Sequence, residues 1–170
     1  MNTSRSIKPR RGFHGGPETQ MHRDIKQTAG LMFSLHGWGV FAETGHADLV
    51  ACTVNGGEFR LVSVEVELQA TRHVAVNVRR DLRNGSQLVL IVTTTPNLCA
   101  AIERQLDRAL DRETRQWVVV TTIAEIRRGI EEITNRSQPQ PGNESKPPDN
   151  AAMKALTQTC STSCRIPRPD

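Results

Sequence analysis

Apolar residues are in short supply. Aliphatic, aromatic, methionine and cysteine positions make up 36% of the 170 residues, below the share usual in a compact domain. A packed core must therefore coexist with segments that add little to it. No apolar run exceeds five residues, as in Leu88–Val92, far too short to cross a bilayer. No apolar stretch follows the basic N-terminus, so no secretory signal is read there. Cysteine is sparse, four in all, and without an export signal that usage points to thiols in a reducing cytoplasm. The expectation is a cytoplasmic protein with no membrane association and no disulfide scaffold. The length suits one ordinary domain with tails.

Acids are missing from the first twelve residues, where Arg5, Lys8, Arg10 and Arg11 give +4. Residues 17–134 hold 13 Lys/Arg against 15 Asp/Glu, a net −2, and the stretch from Arg136 onward holds five against three, a net +2. The positive charge thus sits at the ends, and the globular candidate is slightly acidic. Residues 1–16 read as a basic flexible arm, 17–134 as the α/β domain and 135–170 as a disordered tail. The tail carries six of the nine prolines from Arg136 onward, and neither end has apolar residues enough to offset chain entropy. No internal repeat is present.

Between the ends the pattern alternates. Thr19–His36 has helical spacing through Met21, Ile25, Thr28, Met32 and Leu35, closed by Gly37. Gly39–Glu43 and Asp48–Asn55 read as short strands, Asn55-Gly56-Gly57 as a tight turn and Glu58–Gln69 as a long strand. A helix follows over Thr71–Arg83, then a buried strand over Gln87–Thr94. Pro96–Leu110 reads as helix, Trp117–Thr122 as strand and Ile123–Ile133 as a last helix. This order predicts an α/β fold with a mixed central sheet flanked by helices.

The third strand carries the chemistry. In Val64-Glu65-Val66-Glu67-Leu68, the two-residue period sends the apolar side chains to one face and Glu65, Glu67 and Gln69 to the other. The two carboxylates stand about 7 Å apart along the strand. In a helix-covered sheet such a row is costly unless a cation or an open cleft relieves it; on a solvated edge strand it would be unremarkable. Asp48 begins the preceding strand, and the hairpin brings it toward Glu65. An acid, a hairpin and paired acids make the oxygen-rich layout that a hard cation such as Mg²⁺ or Mn²⁺ requires.

Gly15-Gly16-Pro17-Glu18, Asp48-Leu49-Val50, Val64-Glu65-Val66-Glu67, Asn77-Val78-Arg79-Arg80 and Leu88-Val89-Leu90-Ile91-Val92 follow one another in this order. Together they resemble the PD-(D/E)XK nuclease superfamily, which includes restriction endonucleases and Holliday-junction resolvases. The resemblance implies the restriction endonuclease-like αβββαβ core and divalent-metal-dependent hydrolysis of phosphodiester bonds in DNA. It implies Asp48 and Glu65 as metal ligands, and Glu18 as a carboxylate that some members direct into the site. An acid near a helix N-terminus has its own helical reason as well. Glu67 stands where the family usually has lysine, the residue that positions the attacking water; some restriction endonucleases carry glutamate there. Gln69 would add a polar contact. The competing expectation is an inactive nuclease-fold module binding DNA or a protein partner, as in a mobile-element system.

DNA is the expected partner, with a second copy of the chain or another protein as the further option. Arg10 and Arg11 on the arm and Arg72, Arg79 and Arg80 on the second helix are the candidate phosphate contacts, although the helical strip also reads as an ordinary solvated face diluted by Asp81. His22, four residues after Glu18, and His46, two before Asp48, read as surface histidines within reach of the site. Cys160 and Cys164 supply at most half a zinc site, Cys52 and Cys99 read as core residues, and Gly15-Gly16 does not make a phosphate loop.

Overall fold

The computed structural model describes residues 18–42, 47–55 and 58–136. The arm with Arg10 and Arg11, the Gly15-Gly16 pair, His46, Gly56-Gly57 and the tail from residue 137 with Cys160 and Cys164 lie outside the described residues.

Helix α1 (Gln20–Leu35) starts at Thr19, whose Oγ1 accepts from the His22 N–H at 3.2 Å, satisfying one of the free donors of the first turn. It ends at Gly37, which adopts φ 79°, a left-handed value that glycine takes without strain. Its buried residues are Ile25, Ala29 and Phe33, while Met21 and Leu35 are exposed. The helix is where its spacing puts it, but its inward face is rotated from the Met21–Leu35 stripe. Ala29 lets α1 approach the sheet closely, and Phe33 fills the space beyond it, edge-on to Trp38 with ring centres 5.5 Å apart.

Strands β1 (Gly39–Ala42), β2 (Leu49–Asn55) and β3 (Glu58–Glu67) form an antiparallel meander. Helix α2 (His73–Arg83) crosses over to β4 (Leu88–Thr93), which pairs with β3 in parallel. Helix α3 (Pro96–Ala109) and a short helix α4 (Arg112–Arg115) lead to β5 (Val118–Thr122), parallel to β4. A 3₁₀ turn, Ile123–Glu125, then opens α5 (Ile126–Asn135). The five strands lie in sequence order, giving the mixed α/β sheet that the element order predicts. Helix α4 is the one element the pattern missed; it is a single turn capped by Asp111, whose carboxylate accepts from the Thr114 N–H at 2.7 Å.

Alternation on the strands divides the core. Val62, Val64, Val66, Leu90 and Val92 face α1 and α5, packing on Ala29, Phe33, Ile130 and Ile133. Val89, Ile91 and Val118 face α2 and α3, against Val74, Val78, Ile102 and Leu106. β4 is therefore buried on both sides, as its unbroken apolar sequence requires. Among the described residues no helix is long and apolar enough to cross a membrane.

Candidate functional site

The register of the hairpin decides where the acids fall. Leu49 pairs with Val64, so Asp48, one residue before β2, comes next in line opposite Glu65. β3 outruns β2 at this end, leaving the Val66 N–H and C=O without a strand partner on that side. Side chains take them: Asp48 Oδ2 accepts from the Val66 N–H at 2.8 Å, and His22 Nε2 lies 3.2 Å from the Val66 carbonyl. His22 Nε2 is also 3.2 Å from Asp48 Oδ2, and its Nδ1 is 2.7 Å from Glu18 Oε1. Lys26 Nζ lies 2.7 Å from the same Glu18 oxygen. Lys26 and then His22 hold the Glu18 carboxyl below its ordinary value.

One pleat inward lies Glu65, 6% exposed. Arg80 reaches it from α2, with Nη2 donating to Glu65 Oε1 at 3.1 Å. The same guanidinium donates through Nε to Asp81 Oδ1 at 3.0 Å and through Nη1 to Asn77 Oδ1 at 3.2 Å. Asp81 is 2% exposed, and its Oδ2 is buried without a hydrogen-bond partner. Burial pushes the Glu65 carboxyl up to about 10, helped by a hydrogen bond to Asp81 and by the charges of Asp81 and Asp48; Arg80 opposes the rise. A proton on Glu65 is what lets two buried carboxyls share a hydrogen bond. Glu67, further along the same face, is pushed up to about 7 by burial and by Asp48, against His22 and a hydrogen bond with Asn77.

Asp48, Glu65 and Glu67 thus lie at the end of β3, and Glu18 is joined to Asp48 through His22. Gln69 does not join them: β3 ends at Glu67, and Gln69 is exposed beyond it. Nor do the arginines of α2 form one strip. Arg80 turns inward onto the acids, Arg79 donates to the Ala109 carbonyl, and Arg72 is exposed at the head of the helix. Sequence reasoning undervalued three residues. His22 was signalled by its i+4 spacing from Glu18, which places both on one helical face. Asp81 follows Val74 and Val78 at apolar-face spacing, and so is buried rather than solvated. Asn77, quoted only as part of a motif, bridges Glu67 and Arg80.

No protein-family model matches this chain, and no curated protein matches it significantly.

Among the described residues, no three His, Cys, Asp or Glu side chains are grouped as a metal ion would gather them. Asp48 Oδ2 is engaged by Val66 and His22, and Glu65 by Arg80. Oxygen is nevertheless the donor type that a hard divalent cation takes. The inward acids offer only oxygen, Asp81 Oδ2 is buried without a hydrogen-bond partner, and burial above all, with the charge of Asp48 adding to it, raises both Glu65 and Glu67.

Proposed function

We propose that this chain is a divalent-metal-dependent nuclease-like protein of the PD-(D/E)XK type, hydrolysing phosphodiester bonds in DNA. The observation that carries the reading is the row of acids on β3: two buried or half-buried carboxyls on one face, opposite Asp48, each driven upward by desolvation and by neighbouring negative charge. A fold does not maintain such a row cheaply, and added positive charge is what relieves it.

Asp48 and Glu65 would hold Mg²⁺ or Mn²⁺, with Glu18 beside them. When bound, the cation supplies charge for the scissile phosphate and a more acidic water. Glu67 lies close enough in environment to Asp48 and His22 to exchange a proton near neutrality, which suits a group acting on the attacking water. Asn77 orients it, and His22 fixes Asp48. Arg72 and the arm residues Arg10 and Arg11 would add phosphate contacts outside the centre.

The alternative is an inactive module of the same fold that binds DNA or a protein. The Arg80–Glu65 pair favours it, because the protein already provides a cation where a metal would go. Incubation with single-stranded, duplex and branched DNA in Mg²⁺ or Mn²⁺ separates the two. The nuclease reading expects cleavage that Glu65→Ala abolishes, that Glu67→Ala reduces and that Glu67→Lys preserves or raises. No cleavage of any substrate by the wild type would leave the binding module.

A further inference from the structure

The two edges of the sheet are unlike. At β5, arginines take carbonyls along the edge: Arg115 Nη1 donates to the Val118 carbonyl at 3.0 Å, and Arg136 donates to that of Gln116. Charged groups on an edge keep other chains from pairing with it. The opposite edge strand, β1, reads Gly39-Val40-Phe41-Ala42, with no charged side chain and no proline. Beside it, between β1 and α1, runs a groove of about 430 Å³ lined by Gly30, Leu31, Val40, Ala42 and Leu49. Gly30 keeps it open. A Cβ there would lie 3.5 Å from Val40 Cγ1 and 3.8 Å from Leu49 Cδ1, both ordinary contacts, so packing does not require glycine. Alanine would fit, and would favour the helix by about 1 kcal/mol. Leu31 and Leu35, one turn apart on the same helical face, are 60% and 70% exposed. One surface thus carries an unguarded strand edge, a hollow and two projecting leucines.

The lining decides what suits the groove. Nucleic acid suits it poorly. Among the described residues the lining holds no aromatic ring on which a base would stack. Its cations are engaged within α1: Arg23 donates to the Glu18 carbonyl at 3.0 Å and to Gln20 Oε1 at 2.8 Å, and Lys26 Nζ lies 2.7 Å from the Glu18 carboxyl. That carboxyl would repel a phosphate. A second copy of the chain suits it better, because antiparallel pairing of an edge with itself is a two-fold operation. A two-fold interface needs both the projection and the hollow on one surface, and both are here. Helix α1 runs back along β1, with His22 near Val66 and Gly30 beside Val40. The same two-fold therefore lays the two α1 helices antiparallel, with Arg23 and Lys26 of one toward the C-terminal end of the other. That end has no basic residue in its last turn, and its carbonyls form the negative pole of the helix. We propose that two copies of this chain pair through β1, joining their sheets into one, with Leu31 and Leu35 of each entering the groove of the other over Gly30. This pairing does not depend on the metal-dependent reading above. The surface amounts to roughly half of the 20–30 residues a side in a standard interface, so the expected Kd is on the order of 10 μM.

The test is sedimentation velocity on the full-length protein, without metal or DNA, over concentrations spanning that value, with amide hydrogen exchange read across β1. A shift from monomer to dimer is expected, and exchange at Val40–Ala42 should slow with the same midpoint. The double variant Leu31→Glu, Leu35→Glu should weaken the dimer by about a hundredfold with Tm little changed, since both leucines are exposed in the single chain. Gly30→Met fills the hollow rather than the core and should weaken the dimer by about tenfold without lowering Tm. A chain that stays monomeric throughout would overturn the pairing. A dimer that either variant leaves unchanged, or whose β1 amides exchange as fast as the monomer's, would also overturn it by placing the interface elsewhere. A monomer whose affinity for a short DNA duplex falls in either variant would overturn it too, and would give the groove to DNA.

Discussion

The two faces of β3 solve opposite problems. Toward α1 and α5, the side chains of Val62, Val64 and Val66 belong to the apolar core and are 0–5% exposed; this face is held by dispersion and by removal of apolar surface from water. Toward α2 the same strand presents Ser63, Glu65 and Glu67. Ser63 settles its hydroxyl against Ser86 at 2.6 Å, while the acids compete with one another and lean on Arg80 and Asn77. The apolar face stabilises the fold; the polar face draws on that stability to keep charges where water would not leave them. One face should therefore respond to lost volume, and the other to pH and cations.

The largest expected effect lies on the apolar face. Phe33→Ala removes a fully buried ring that packs against Trp38, and denaturant unfolding should show a loss of about 3–5 kcal/mol that does not vary with pH. A loss under about 1 kcal/mol would mean that the α1 side is not the principal core.

The polar face should give a smaller effect with a definite sign. Glu67 is raised from its ordinary value to about 7 and Glu65 to about 10, so the folded chain binds protons that the unfolded chain has released. Stability in the absence of metal should therefore fall as pH rises above the ordinary glutamate range, first through about 7 as Glu67 ionises and then toward 10 as Glu65 follows. Allowing for the partial exposure of Glu67, its share is about 1–2 kcal/mol, and Glu67→Gln should flatten that part of the curve. Stability rising between pH 5 and 8 would break the contrast between the faces.

The smallest effect sharpens the contrast at the far side of the apolar layer. A Cβ on Gly129 of α5 would come 3.0 Å from Thr121 Cγ2 and 3.4 Å from Leu90 Cδ1. Gly129→Ala gains about 1 kcal/mol of helix propensity, but overpacking against a buried strand costs about 1–3 kcal/mol. The net should be a loss of about 1 kcal/mol, read as a lowered Tm, and a raised Tm would show that Thr121 can give way.

Most of the fold was legible because it rests on local signals. The Val-rich alternation of β3, the unbroken run of β4 and the glycines after α1 and α2 mark elements whose ends shift by only a residue or two. The inward face of α1 was not legible, because Ala29 is a weak apolar signal in sequence yet decides how closely the helix approaches. The candidate site was half legible. Alternation put Glu65 and Glu67 on one face, and the hairpin put Asp48 opposite. What sequence could not weigh was the answer from α2: Arg80 looks like one more surface arginine until the crossover lays it over Glu65, and Asp81 looks solvated until Val74 and Val78 are seen beneath the same helix.

The most direct test of the account is Mn²⁺ calorimetry at about pH 8.5 and about pH 6 on the wild type and Glu65→Gln, since a metal must displace the proton that Glu65 holds. The account predicts one Mn²⁺ per chain at the higher pH with release of protons, weaker binding at the lower pH, and loss of binding in the variant. No Mn²⁺ bound at the higher pH, or equal binding by wild type and Glu65→Gln, would contradict it.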